Sequence, residues 1–226
     1  QLHLGYCYAK GLGVKVDYKE ALKWYMMAAD QGNMYACYNL GLFYERGDGV
    51  DKDFKEAINW YLKAADMGYA DAYVSIGNLY YGFNYGIDHS YEEAVKWYEK
   101  AAQLNNARGL HSLGRCYYDG DGVTRDYQKA YELYMKAAEQ NYAPSYNNLG
   151  VLYEEGNGVK KDKKKAFEYY IKAAELGNTS ASSNVGRCYE KGIGVKKNKQ
   201  EAIKWYRKAV EQGNEHAEKR LKELNK

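Results

Sequence analysis

Five Gly-x-Gly pairs punctuate the chain, Gly11/Gly13, Gly47/Gly49, Gly120/Gly122, Gly156/Gly158 and Gly192/Gly194, and such loops can cradle phosphate with free backbone amides. The rest of that chemistry does not follow. A dinucleotide fingerprint needs a third glycine after a strand, and a P-loop needs Gly-Lys-Ser/Thr. Here a helical pattern precedes each pair and a valine follows it. The pairs are therefore predicted to end helices, glycine supplying the positive φ of the terminus and the valine turning to the core.

Other reactive residue types fall equally short of a site. His3, His89, His111 and His216 are scattered, with no His-Glu-x-x-His pattern and no Cys-x-x-Cys pair for zinc. Asp51 and Asp53, like Asp119 and Asp121, open as a calcium loop would, but the glycine at position six and the glutamate at position twelve are out of register. No metal, cofactor or catalytic residue is expected. Cys7, Cys116 and Cys188 share one slot, two residues after a glycine, where Phe43, Leu79 and Leu152 stand elsewhere, so they read as core side chains. Cys37 also falls on the packed side. Asn178-Thr179-Ser180 is formally a glycosylation sequon and is read as chance.

The composition favours helices broken by glycine: 226 residues, 46% hydrophobic, with 23 glycines, 27 tyrosines and the single proline Pro144. No run approaches the ~18 to 20 apolar residues of a membrane span, so no membrane insertion is expected. Residues 1–113 carry 11 Lys/Arg against 14 Asp/Glu, and 114–226 carry 22 against 16. The basic excess sits in Lys160, Lys161, Lys163, Lys164 and Lys165 and in Lys196, Lys197 and Lys199. These read as solvated loops, and no nucleic-acid partner is expected, because no aromatic stacking platform accompanies the lysines.

Self-alignment gives Leu4-Gly5, Leu40-Gly41, Ile76-Gly77, Leu113-Gly114, Leu149-Gly150 and Val185-Gly186, at spacings of 36, 36, 37, 36 and 36. A period of that length marks stacked helix pairs. Three residues after each glycine stands a tyrosine, and five before it a small residue (Ala36, Ala72, Gly109, Ser145, Ala181). The second half of each unit carries an apolar stripe such as Ala21, Trp24, Tyr25, Ala28 and Ala29, the spacing of one helical face. Asp17, Asp53, Ser90, Asp126, Asp162 and Asn198 are predicted to cap these second helices, with Glu20, Glu56, Glu93 and Glu201 completing capping boxes.

With Ala36-x3-Leu40-Gly41-x2-Tyr44-x2-Gly47-x-Gly49-Val50-x2-Asp53-x3-Ala57-x2-Trp60-Tyr61-x2-Ala64-Ala65-x2-Gly68 repeated imperfectly six times, the chain resembles the Sel-one-like repeats, relatives of the tetratricopeptide repeat. The resemblance implies an all-α fold: a right-handed α/α superhelical solenoid of six helix-pair repeats plus a C-terminal capping helix, first helices on the concave side. It implies an adaptor in protein complexes. The expected organisation is a single repeat domain over 1–226, with repeats near 1–32, 33–68, 69–105, 106–141, 142–177 and 178–213 and a polar cap at 214–226. The third repeat departs from the pattern at Gly82-Phe83-Asn84-Tyr85-Gly86. Some bacterial relatives carry penicillin-binding or β-lactamase-like labels, but Ser-x-x-Lys, Ser-Asp-Asn and Lys-Thr-Gly are absent here. Some secreted relatives hold a disulfide in each repeat; the lack of paired cysteines here favours a reducing, cytoplasmic compartment.

A partner face follows from the helical period. At 100° per residue, the shared positions occupy one side of the first helix and leave the opposite side to variable residues. That side holds Tyr35, Tyr38, Asn39, Leu42, Asn78, Tyr81, His111, Arg115, Tyr118, Asn147, Asn148, Asn184 and Arg187, with Phe83 and Tyr85 as loop contacts. Tyrosine and arginine anchor interfaces, and asparagine pairs with both amide and carbonyl of an extended peptide. The expected partner is a protein or peptide; the alternatives are a structural spacer within a longer repeat protein and, last, a penicillin-binding or β-lactamase-like hydrolase. The chain is expected to be a monomer, with end-to-end stacking open to it through the incomplete first repeat.

Overall fold

The computed structural model describes residues 1–82 and 87–224. Thirteen helices and no strand occur among them. First helices are α1 (Leu2–Lys10), α3 (Met34–Arg46), α5 (Asp71–Tyr81), α7 (Ala107–Asp119), α9 (Ala143–Glu155) and α11 (Thr179–Lys191). Second helices are α2 (Tyr18–Ala29), α4 (Phe54–Asp66), α6 (Tyr91–Gln103), α8 (Tyr127–Glu139), α10 (Lys163–Glu175) and α12 (Lys199–Glu211), and α13 (Glu215–Leu224) closes the chain. They fall into two compact units, Gln1–Gly109 and Leu110–Lys226.

Local chemistry sets the helix ends. All six predicted caps form: Asp17, Asp53, Asp162 and Asn198 each accept from two first-turn amides, Ser90 and Asp126 from one. The four capping boxes do not close, because the cap amides of Asp17, Asp53, Ser90 and Asn198 donate instead to the carbonyls of Tyr8, Tyr44, Tyr80 and Tyr189. First helices use a device that the hydrophobic pattern does not announce. Asn33, Asn106 and Asn178 accept from Ala36, Gly109 and Ala181 at 2.8 to 3.0 Å, and Asn214 does the same for α13. Asn178 is thus engaged as a helix cap through its side-chain oxygen. Gly11, Gly47, Gly156 and Gly192 end α1, α3, α9 and α11 in the left-handed conformation, as expected. The following valines do not enter the core: Val14 is 40% exposed and Val50, Val123, Val159 and Val195 are half-buried.

The second glycine of a pair has a packing role. A Cβ on Gly158 would meet the backbone carbonyl carbon of Tyr127 at 2.6 Å, so this loop rests on the start of α8. Loop and helix of consecutive repeats can approach so closely only without a side chain.

In the first unit each helix packs on the next from α1 to α6, and in the second from α8 to α13. The Trp-Tyr pair of the second helices resolves into two different jobs. Tyr25, Tyr61, Tyr98, Tyr134, Tyr170 and Tyr206 are at most 2% exposed, whereas Trp24, Trp60, Trp97 and Trp205 are only partly buried. Each buried ring lies against the first-helix glycine of its own repeat, Gly5, Gly41, Gly77, Gly114, Gly150 or Gly186. Rings of this size bury about 150 to 250 Å² each, so the Gly/Tyr contact is the chief apolar joint of the repeat. Lys63 and Lys100 lay their ammonium groups over Trp60 and Trp97 at 3.7 and 3.9 Å, a use of the indole face open to a half-exposed ring. On α13 only Ala217 is buried, while Glu215, His216, Glu218, Lys219, Lys222 and Glu223 face solvent, the outer surface of a cap.

Candidate functional site

In the first unit, α3 and α5 carry the predicted residues as two groups. Tyr38 packs against Tyr61 and Tyr69, with ring centroids 5.4 and 4.8 Å apart, and its hydroxyl meets Ser75 Oγ at 3.2 Å. Tyr35, 49% exposed, joins the same cluster through Tyr69 at 5.4 Å. Asn39 and Leu42 instead line a cleft of about 130 Å³ with Tyr6, Tyr18, Phe43 and Arg46. Asn78 accepts from the Tyr98 hydroxyl at 2.8 Å, and Tyr81 packs on Tyr91 at 4.9 Å. Phe83 and Tyr85, the loop contacts, lie outside the described residues.

In the second unit the predicted residues form a polar ladder between first helices. Asn184 donates to Asn147 at 2.9 Å, and Tyr118 to Glu155 at 2.9 Å. Arg187 grips Glu154 with both guanidinium nitrogens, at 2.7 and 2.6 Å, while the Tyr170 hydroxyl reaches the same carboxylate at 2.9 Å. Burial alone would raise the Glu154 pKa, but the hydrogen bonds from Arg187 and Tyr170 outweigh it and hold the carboxyl below its usual range. His111 is enclosed: its ring lies between Tyr134 and Tyr142, at 5.4 and 5.3 Å, and Nδ1 meets Ser145 Oγ at 3.0 Å. Burial, with the nearby Arg115 cation, lowers its pKa to about 4, so it is a neutral packed ring near pH 7.

Arg115, Tyr118 and Asn148 converge on one cleft of about 280 Å³, completed by Asp119, Tyr134 and Val151. It offers a cation, a carboxylate, an amide and an apolar wall within a single turn of α7 and α9. Burial raises the Asp119 pKa, the neighbouring Asp121 adding to the effect. Of the predicted residues, these three share a hollow, and Tyr118, like Asn147, Asn184 and Arg187, also spends a group on the ladder.

The bonds made by the acids on this face were not foreseen from the sequence. Glu45, Glu154 and Glu190 each accept from the buried tyrosine sixteen residues later, Tyr61, Tyr170 and Tyr206. The fixed spacing is the signal that could have found them. It also gives these three buried hydroxyls a partner: each reaches a partly buried carboxylate on the first helix of its own repeat. Cysteine chemistry finds no support, since burial pushes the Cys116 and Cys188 thiols up to about 12 and keeps them protonated near pH 7. All four cysteines are unpaired. Among the described residues no cluster of His, Cys, Asp or Glu could hold a metal ion, and no helix is long and apolar enough to cross a membrane.

The family model for the Sel1 repeat matches residues 1–33, 35–69, 70–106, 107–142, 143–178 and 179–214. A solved Sel1 repeat protein from Oxalobacter formigenes is 39% identical with a TM-score of 0.84, over 93% of this chain and 86% of that one. A protective antigen of uropathogenic Escherichia coli, described as displaying an SLR fold, is 38% identical with a TM-score of 0.81, over 97% of this chain and 47% of that one. The chain thus spans about half the length of the antigen. An immunity protein from Pseudomonas aeruginosa, 24% identical over 93% of this chain and 81% of that one with a TM-score of 0.66, shares the fold. Among curated proteins no relative matches the chain.

Proposed function

The chain belongs to the Sel1 repeat family, and we propose that it is a non-catalytic adaptor that holds an extended protein segment on the face formed by its first helices. Repeats of this family generally mediate protein–protein interaction. The observation that carries the finer reading is the cleft of Arg115, Tyr118, Asn148, Asp119 and Val151. An extended segment presents amides, carbonyls and alternating side chains, and this hollow answers them with an amide, both charge signs and an apolar wall. The ladder beside it supports the same reading, because side chains already fixed by one another lose less entropy when a partner settles on them.

Site-directed photo-crosslinking tests the proposal. A benzophenone amino acid at Val151, in the cleft, should yield a discrete protein adduct in extract of the source cells, and the same group at Glu168, exposed on α10, should not. Adding Arg115→Ala and Asn148→Ala should erase the adduct while helicity is kept. Equal adducts from both positions, or none from Val151, would overturn the site; the latter is the behaviour of a spacer.

A further inference from the structure

We propose that the loop edge of the second unit is a second, electrostatic docking surface, one that takes an acidic segment of a protein partner. In sequence the two lysine clusters stand more than thirty residues apart. The fold joins them. The loop ending α11 lies so close to the first turn of α10 that a Cβ on Gly194 would collide with the carbonyl oxygen of Lys163 and come within 3.0 Å of the Lys164 Cα. Lys160 and Lys161 on one loop and Lys164 in the first turn of α10 thereby share an edge with Lys196 and Lys197 on the next loop and Lys199 at the start of α12, and all six are exposed.

Among the described residues none of the six lysines forms an ion pair, and the nearby acids hold other groups. Asp162 accepts from the amides of Lys164 and Lys165 as the cap of α10. Glu155 holds Tyr118 and Asn157, at 2.9 and 2.7 Å, and Glu190 holds Tyr206 and Arg220. Asn198, which caps α12, is uncharged. The amino ends of α10 and α12 point to the same edge and add the positive ends of their dipoles. Two of the lysines are seated rather than loose: the Lys161 and Lys197 stems cover Gly156 and Gly192, where a Cβ would meet them at 3.0 and 2.9 Å. By contrast the second loop of the first unit mixes signs through Asp48, Asp51, Lys52 and Asp53.

The surroundings decide which polyanion fits. Val159, Ile193 and Val195 are half-buried and no aromatic side chain stands among these loops, so neither base stacking nor insertion into a lipid layer has a foothold. None of the six cations is an arginine, the fork suited to phosphate. Point charges on flexible stems match the carboxylates of a Glu/Asp-rich stretch. This edge is distinct from the first-helix cleft and stands or falls without it.

The test is fluorescence anisotropy with a labelled octaglutamate peptide, a 20-nucleotide single strand, and vesicles of 30% phosphatidylserine in phosphatidylcholine, at 50 and 300 mM salt. The wild-type chain should prefer the peptide and lose most of that binding at the higher salt. Lys160→Glu, Lys161→Glu, Lys196→Glu and Lys197→Glu together should weaken it at least about tenfold. Reversing four exposed lysines elsewhere, Lys19, Lys55, Lys136 and Lys219, changes net charge equally and should cost less than about threefold. Equal loss in the two variants would reduce the effect to net charge and overturn the proposal. Preference for the oligonucleotide or the vesicles would overturn it in favour of that partner class. Circular dichroism and melting of both variants establish that they are folded.

Discussion

The ring of Tyr170 lies against Gly150 so closely that a Cβ at that glycine would sit 2.5 Å from Cε1 and 2.6 Å from Cδ1 of the tyrosine. Tyr170 is 1% exposed and cannot swing into solvent. Gly150→Ala should therefore destabilise the chain by about 1 to 3 kcal/mol, the usual cost of overfilling a packed site. Denaturant unfolding reads this directly. Tyr170→Leu alone leaves a void, but the two changes together should cost less than their sum, because the methyl then enters space the ring has left. Strict additivity would show that the contact is not the joint of the repeat.

Tyr170 continues past the glycine to Glu154, and Arg187 completes the group. Tyr170→Phe removes one donor and leaves the ion pair, for an expected loss of about 1 kcal/mol. Glu154→Gln takes the charge from a bidentate pair whose side chains are 18% and 28% exposed and should cost about 2 kcal/mol. The pH dependence has a definite sign. A carboxyl held below its unfolded pKa contributes fully above about pH 4.3 and loses that contribution as pH falls through its folded value. Unfolding followed below that pH should be flatter in Glu154→Gln than in wild type. An unchanged acid limb would remove Glu154 from the acid-sensitive groups.

The repeat joints were legible because six copies present the same residue types at a fixed interval: Gly150 is recognisable from Gly5, Gly41 and the rest without any structure. The division of labour within Trp-Tyr was not, since both are large and both fit the stripe; it depends on which ring lies over the glycine. The valines after the glycine pairs misled for a related reason, as an apolar residue on a short loop need not reach the core. The side of the first helices opposite the shared positions was legible as a direction, but not the bonds its side chains make with one another. Asn147 and Asn184 occupy positions one residue apart relative to their glycines, and only the offset between stacked helices makes them meet. Arg187 and Glu154 likewise lie 33 residues apart, short of the repeat period.

Caps supply a prediction that separates hydrogen bonding from charge. Asp162 accepts from Lys164 and Lys165 amides at 3.0 Å. Asp162→Ala should cost about 1 kcal/mol, whereas Asp162→Asn keeps an acceptor oxygen and should stay within a few tenths of a kcal/mol of wild type. Thermal melting of the pair decides it. Equal destabilisation would mean that the carboxylate acts through its charge beside the lysines and not as a cap.

His111 gives the chain a second acid-sensitive window, above that of Glu154. Unfolded, its imidazole takes up a proton near pH 6.5; folded, burial among Tyr134 and Tyr142 and the cation of Arg115 delay protonation to about pH 4. Between those values the unfolded state binds more protons, so stability must fall as pH drops from 6.5 towards 4. A shift of that size corresponds to about 3 kcal/mol when the window is crossed completely. His111→Gln, which keeps a polar group within reach of Ser145, should lose this slope while retaining the fall below pH 4.3 that belongs to Glu154. Urea unfolding at half-unit intervals from pH 7 to 4 measures it. A variant with the wild-type slope would show that His111 is protonated as readily in the folded chain as in the unfolded one, and its enclosure would then have to open to water.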